Sequence, residues 1–179
     1  MNGPYRLRDL PGLVGEQIVT SSWRTVSQAD IDAFGELTGD RQWIHADPDA
    51  AADGPFGTTI AHGYLTLALI GGFWAIAFDV VDAPTKINYG MDRVRFVTPV
   101  AVGARVRLRS RLTEVVRRRS GLRLYVDQTI ELEHGDRPAL VARCIYDFMA
   151  DGAKDAVRET DRSTDLLSGD TARSAEREG

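Results

Sequence analysis

The chain has 179 residues, 43% hydrophobic and 27% charged, which is enough for one domain with a core and too few for two ordinary ones. Its 22 basic and 26 acidic side chains leave a net charge of −4, which argues against nucleic acid, because a phosphate backbone rewards a basic surface. The single cysteine, Cys144, excludes an intrachain disulfide and a cysteine zinc site. The opening MNGPYRLRDLPG lacks the apolar stretch of a signal peptide, so a cytoplasmic protein is expected.

Residues 1–17 read as a loose lead-in punctuated by Pro4, Pro11, Gly12 and Gly15. A short strand is expected over 18–26. Ser27 with Asp30 three residues on is a capping box, and Ile31, Phe34 and Leu37 recur at helical spacing up to Gly39. Asp47-Pro48 starts a further turn or two of helix, with proline at the first helical position. From 54 to 78 there is no charged side chain, and the run 64–78 is almost wholly apolar. Its 15 residues fall short of the roughly 20 that a membrane span needs. A helix from 62 to 78 that the rest of a soluble fold surrounds is the expected reading, with no membrane association.

Past Pro84 the period changes to two. Arg105, Arg107, Arg109 and Arg111 alternate with Val106, Leu108, Ser110 and Leu112, and the even positions from Leu122 to Leu132 are mostly apolar. This is the pattern of half-buried antiparallel strands, expected near 86–98, 104–117, 122–133 and 138–149, with turns at Ser120-Gly121 and Gly135-Asp136. The arginine face reads as solvated. One apolar helix followed by consecutive long strands gives an α+β class: a single domain over 1–150 in which a curved antiparallel sheet wraps one long helix. Residues 151–179 carry 13 charged side chains in 29 and few large apolar ones, so this tail is expected to be mobile.

The chemistry-bearing residues concentrate in two segments, GDRQWIH at 39–45 and GTTIAHG at 57–63. An Asp and a His projecting into one cleft hold a water between them, and imidazole exchanges protons near neutral pH. His62 and Gly63 open the apolar helix, where free N–H groups and the dipole favour developing negative charge. Gly63 lacks a side chain that would block an approaching oxygen. Three ligands, Asp40, His45 and His62, would have to converge to hold a metal, and no metal or cofactor is expected.

With these residues the chain resembles the MaoC-like, or (R)-specific enoyl-CoA hydratase, branch of the hot-dog fold. The motif reads GDRQWIHADPDAAADGPFGTTIAHGYLTL, and INYGMDRVRFVTPVAVG at 87–103 resembles the strand after the helix in a bacterial subgroup that includes NodN-like proteins. The resemblance covers about residues 15–150. It implies that Asp40 and His45 are the catalytic pair and that the Gly63 N–H binds the thioester oxygen. The implied activity is reversible hydration of a trans-2-enoyl-CoA, or acyl-carrier-protein thioester, to the (R)-3-hydroxyacyl thioester, by a homodimer. Trp43, His62, Thr66, Arg93 and Arg95 are candidate substrate contacts. One departure is that a position at which some members carry a helper serine falls at Gly71, with Thr66 a candidate substitute. The alternatives are a thioesterase of the same fold and a non-catalytic acyl-binding subunit; the intact Asp40–His45 pair argues for the hydratase.

Overall fold

The computed structural model describes residues 4–150; the expectation for the tail lies outside them. The strands are β1 (Gln17–Thr20), β2 (Arg24–Thr25), β3 (Thr85–Phe96), β4 (Arg105–Arg118), β5 (Gly121–Leu132) and β6 (Leu140–Met149). They form one antiparallel sheet in the order β1-β4-β5-β6-β3, with β2 also on β4. Between β2 and β3 lie α1 (Gln28–Thr38), α2 (Trp43–Ala46), α3 (Pro48–Ala52) and α4 (Gly63–Ala77). The α+β class is therefore as expected.

Local signals set the helix ends. The Ser27 side chain accepts from the Asp30 N–H, while the Asp30 carboxylate accepts from the Ser27 N–H, so two orphan donors are met reciprocally. Asp47 caps Ala50 N–H at 3.0 Å, with Pro48 at the first position of α3. Gly39 ends α1 in the left-handed conformation at φ 79°, its N–H on the Gly35 carbonyl at 2.8 Å. That turn sends the next residue, Asp40, back across the end of α1.

The lead-in is not loose. Residues Leu7–Leu13 form a 3-10 helix, and Leu10 is fully buried. Leu7, Leu10 and Leu13 recur every three residues, the period of a 3-10 helix, so one edge of the segment packs on the core. The Leu7 N–H is held by the Asp82 carboxylate at 2.7 Å. Leu10→Ala should cost about 3 kcal/mol, the usual scale for emptying a core leucine site; an unchanged denaturation midpoint would show that the segment contributes no packing.

The sheet's inward row matches the alternation. Val106, Leu108, Leu112, Leu124, Val126 and Ile130 are buried with Leu65, Leu69, Ile70, Phe73 and Trp74 of α4 in one cluster. Its outward face is ion-paired as well as solvated. Arg105 bonds Glu133, Arg107 and Arg109 share Glu131, Arg123 grips Asp147 through two bonds of 2.7 Å, and Arg143 grips Asp127.

The α4 helix is not surrounded. Tyr64 and Ile76 are 71% and 88% exposed, and Ala68, Gly72 and Ala75 are exposed with them. The edge strand β3 is also mostly exposed, including Ile87, Tyr89, Met91 and Phe96. One six-stranded sheet across one side cannot cover the full circumference of a helix that is apolar all round. Among the described residues, no helix is long and apolar enough to cross a membrane.

Cys144 is buried on β6, and that burial pushes its thiol up to about 11. A thiol reagent should therefore leave the native protein unlabelled at neutral pH and react once denaturant is added. Rapid stoichiometric labelling of native protein would mean that β6 opens readily.

Candidate active site

Asp40 leaves the Gly39 turn exposed, while His45 lies on the single turn α2 and is 7% exposed. His62 is the residue before α4 and is 3% exposed. A carboxylate oxygen of Asp40 and one ring nitrogen from each histidine lie within 4.8 Å of one another. At such a spacing one water can bridge the carboxylate and an imidazole.

Backbone carbonyls fix both rings. His45 Nδ1 is 2.7 Å from the Ile60 carbonyl, which can only accept, so Nδ1 carries the hydrogen and Nε2 keeps its lone pair. His62 Nε2 donates in the same way to the Asp40 carbonyl at 2.8 Å. The two rings stack with centroids 3.8 Å apart at 26°. Imidazole lone pairs lie in the ring plane, so stacked rings aim theirs side by side and not at one point. The cluster suits proton transfer better than a metal held at about 2.0 Å by each nitrogen.

Surrounding bonds hold α2 in place. The Gln28 amide donates to the His45 carbonyl at 2.8 Å and accepts from the Thr59 hydroxyl at 2.5 Å. Ile60 N–H bonds the Ile44 carbonyl, and Ala61 N–H bonds the Val100 carbonyl. Arg41, beside Asp40, is paired with Glu36.

Gly63 begins α4, and the His62 side chain does not cap the helix. The first N–H groups of α4 thus have no intrahelical acceptor and sit at the positive end of the dipole. The Phe96 ring of β3 packs over Gly63 so closely that an added Cβ would stand 3.1 Å from it. A larger residue at Gly63 would have to push the half-exposed Phe96 ring aside by a few tenths of an ångström.

The other candidates distribute unevenly. Trp43 is half-exposed on α2, with its ring against Gly54, where a Cβ would stand 2.7 Å away. Thr66 is buried, its hydroxyl donating to the His62 carbonyl at 3.3 Å. Arg93 and Arg95 line a groove of about 550 Å³ on the sheet's outer face with Asp127 and Arg143. They alternate with Val94 and Phe96, which face the other side, so β3 meets the start of α4 through Phe96 and not through its arginines. Gly71 stands eight residues along α4 from Gly63, about 12 Å at 1.5 Å per residue, with open space where a side chain would be. Sequence reasoning missed Ile60, Phe96, Gln28 and Gly35. Only Gly35, a glycine inside a helix, left a visible signal.

The MaoC like domain family profile matches residues 9–133. The chain belongs to the MaoC-like family. This MaoC-like chain is 44% identical over 143 residues to 3-hydroxyacyl-thioester dehydratase Z of Mycobacterium tuberculosis, covering 79% of this chain and 95% of that protein. It is 45% identical over 142 residues to nodulation protein N of Rhizobium meliloti, covering 78% and 88%. Its fold is similar to that of an R-hydratase from Pseudomonas aeruginosa, with TM-score 0.64, 25% identity and coverage of 76% and 81%.

Proposed function

We propose that this MaoC-like chain is a hydro-lyase that interconverts a trans-2-enoyl thioester and the 3-hydroxyacyl thioester, with CoA or an acyl-carrier protein as the thiol. The observation that carries this reading is the Asp40–His45 pair beside the start of α4, with the His45 lone pair freed at Nε2 by the Ile60 carbonyl. The dehydratase name of a 44%-identical relative supports it, and the R-hydratase of like fold supports the (R) configuration.

In the hydration direction, Asp40 orients a water and His45 Nε2 takes its proton as the oxygen bonds to C3. The C2–C3 π pair moves onto the thioester oxygen, where the Gly63 N–H at the α4 end meets the developing charge. A proton returned to C2 restores the thioester and completes the addition. His62 supports the pair, and Thr66 and Trp43 wall the site. Arg93 and Arg95, on the outer face of the sheet away from the pair, are read as contacts only for the distant anionic end of the carrier. The shared core of α4 and the sheet supports the finer architecture, a curved sheet folded about one helix.

The assay is loss of the enoyl absorbance of crotonyl-CoA, with free thiol measured in parallel. Absorbance loss without thiol release is expected. Thiol release in step with substrate loss would instead make the protein a thioesterase.

A homodimer is proposed on the same grounds. The exposed Tyr64 and Ile76 of α4, with Ile87, Tyr89, Met91 and Phe96 on the open β3 edge, are apolar side chains that a partner would remove from water. A two-fold pairing would cover like surfaces in a closed way, so light scattering should give about 40 kDa, twice the 19.7 kDa chain. A stable, active monomer would contradict it.

A further inference from the structure

His62 is buried without capping the helix it precedes. Its ring stacks on His45 at 3.8 Å and meets the Phe34 ring, tilted by 50°, at 5.1 Å. Nε2 is spent on the Asp40 carbonyl at 2.8 Å, while Nδ1 is buried with no hydrogen-bond partner. The Asp40 carbonyl can only accept, so Nε2 carries the hydrogen and Nδ1 of the neutral ring is left as the acceptor. The Nε2–H tautomer is thus set by the Asp40 carbonyl.

The room for this contact comes from α1. A Cβ on Gly35 would stand 3.0 Å from the Asp40 carbonyl oxygen and 3.5 Å from His62 Cε1. Gly35 is therefore the gap in which the Asp40 peptide and the His62 ring meet. The strip 60–62 then touches each half of the cluster. Its Ile60 carbonyl sets the His45 tautomer, and its His62 ring holds the Asp40 peptide and stacks on His45. Residues 59–61 are anchored to the 100–102 segment by Ala61 N–H on the Val100 carbonyl and by Val102 N–H on the Thr59 carbonyl.

We propose that His62 is a positioning residue that aligns the catalytic pair: its Nε2–H fixes the Asp40 peptide and its ring face fixes the His45 imidazole. This rests on the hydratase reading of Asp40 and His45. His62 contacts no substrate in this account and transfers no proton. It limits how far Asp40 and His45 drift apart, and misplacement by about 1 Å costs on the order of 10²-fold in a proton-transfer site.

Three variants and one spectrum test it. His62→Phe keeps the ring and removes the donor, so kcat should fall on the order of 10- to 100-fold with KM little changed. His62→Gln restores a donor at the Nε2 position and should recover most of that loss, which a merely space-filling role would not do. Asp40→Asn with His62→Phe should be hardly slower than Asp40→Asn alone, since His62 acts through Asp40. Wild-type kcat in His62→Phe, no recovery in folded His62→Gln, or multiplicative losses in the double variant would each overturn the proposal. Independently of turnover, two-bond proton–nitrogen NMR of the wild-type protein, which has three histidines, should read His62 as the Nε2–H tautomer and His45 as Nδ1–H. A proton on His62 Nδ1 overturns the proposal even if every variant fails to fold. Wild-type protein with the expected tautomers but no hydration of crotonyl-CoA would remove the hydratase reading while leaving the His62 contact standing.

Discussion

Asp40→Asn and His45→Asn should each slow hydration about 10²-fold or more while leaving the fold intact, the scale of a lost acid–base group. Asparagine in place of Asp40 keeps the peptide whose carbonyl accepts from His62, and removes only the charge that orients water. Asparagine in place of His45 can still donate to the Ile60 carbonyl from the position of Nδ1, but offers no base at Nε2. Loss of activity would therefore report lost chemistry and not a broken α2. The double variant should cost far less than the product of the two, because both groups act on one water. Steady-state kcat/KM with melting curves checks this, and wild-type-like turnover in either single variant would end the assignment of that residue.

The largest stability effect is expected at the turn between β4 and β5. Gly121 has φ 153°, and a Cβ there would stand 2.0 Å from the backbone oxygen of Phe148. That oxygen belongs to β6, which pairs with β5 along ten residue pairs from Gly121–Met149 to Ile130–Leu140. Neither strand can shift without disturbing the ladder and the buried row behind it. Gly121→Ala should cost about 3 kcal/mol or more, combining backbone strain with a displaced strand. Chemical denaturation measures it, and a loss below about 1 kcal/mol would mean that the turn relaxes freely.

The parts of this structure that could be read from sequence are those set by neighbours along the chain. Ser27 with Asp30, and Asp47 with Pro48, act within four residues and began their helices where expected. The even positions of β5 from Leu122 to Ile130 are buried because strand pleating imposes a period of two. Asp40 and His45 stood out because an acid and a base at short spacing follow a helix stop. The 3-10 helix was hidden because Pro11 and Gly12 masked the period-three leucines. The single turn of α2 is too short for any periodicity to show. Contacts between distant segments left no trace at all. Phe96 over Gly63 joins residues far apart in the chain, and the Ile60 carbonyl that sets the His45 tautomer is backbone, present at every residue. The exposed side of α4 was also unreadable, since an all-apolar helix shows which faces can be buried but not how many the sheet reaches.

The most direct test of the account is where the oxygen of water ends up. Crotonyl-CoA turned over in oxygen-18 water, with products resolved by mass spectrometry, should give 3-hydroxybutyryl-CoA labelled at the C3 hydroxyl and still esterified to CoA. Label in a free carboxylate, with CoA released, would place the attack at the carbonyl carbon and contradict an Asp40–His45 hydratase.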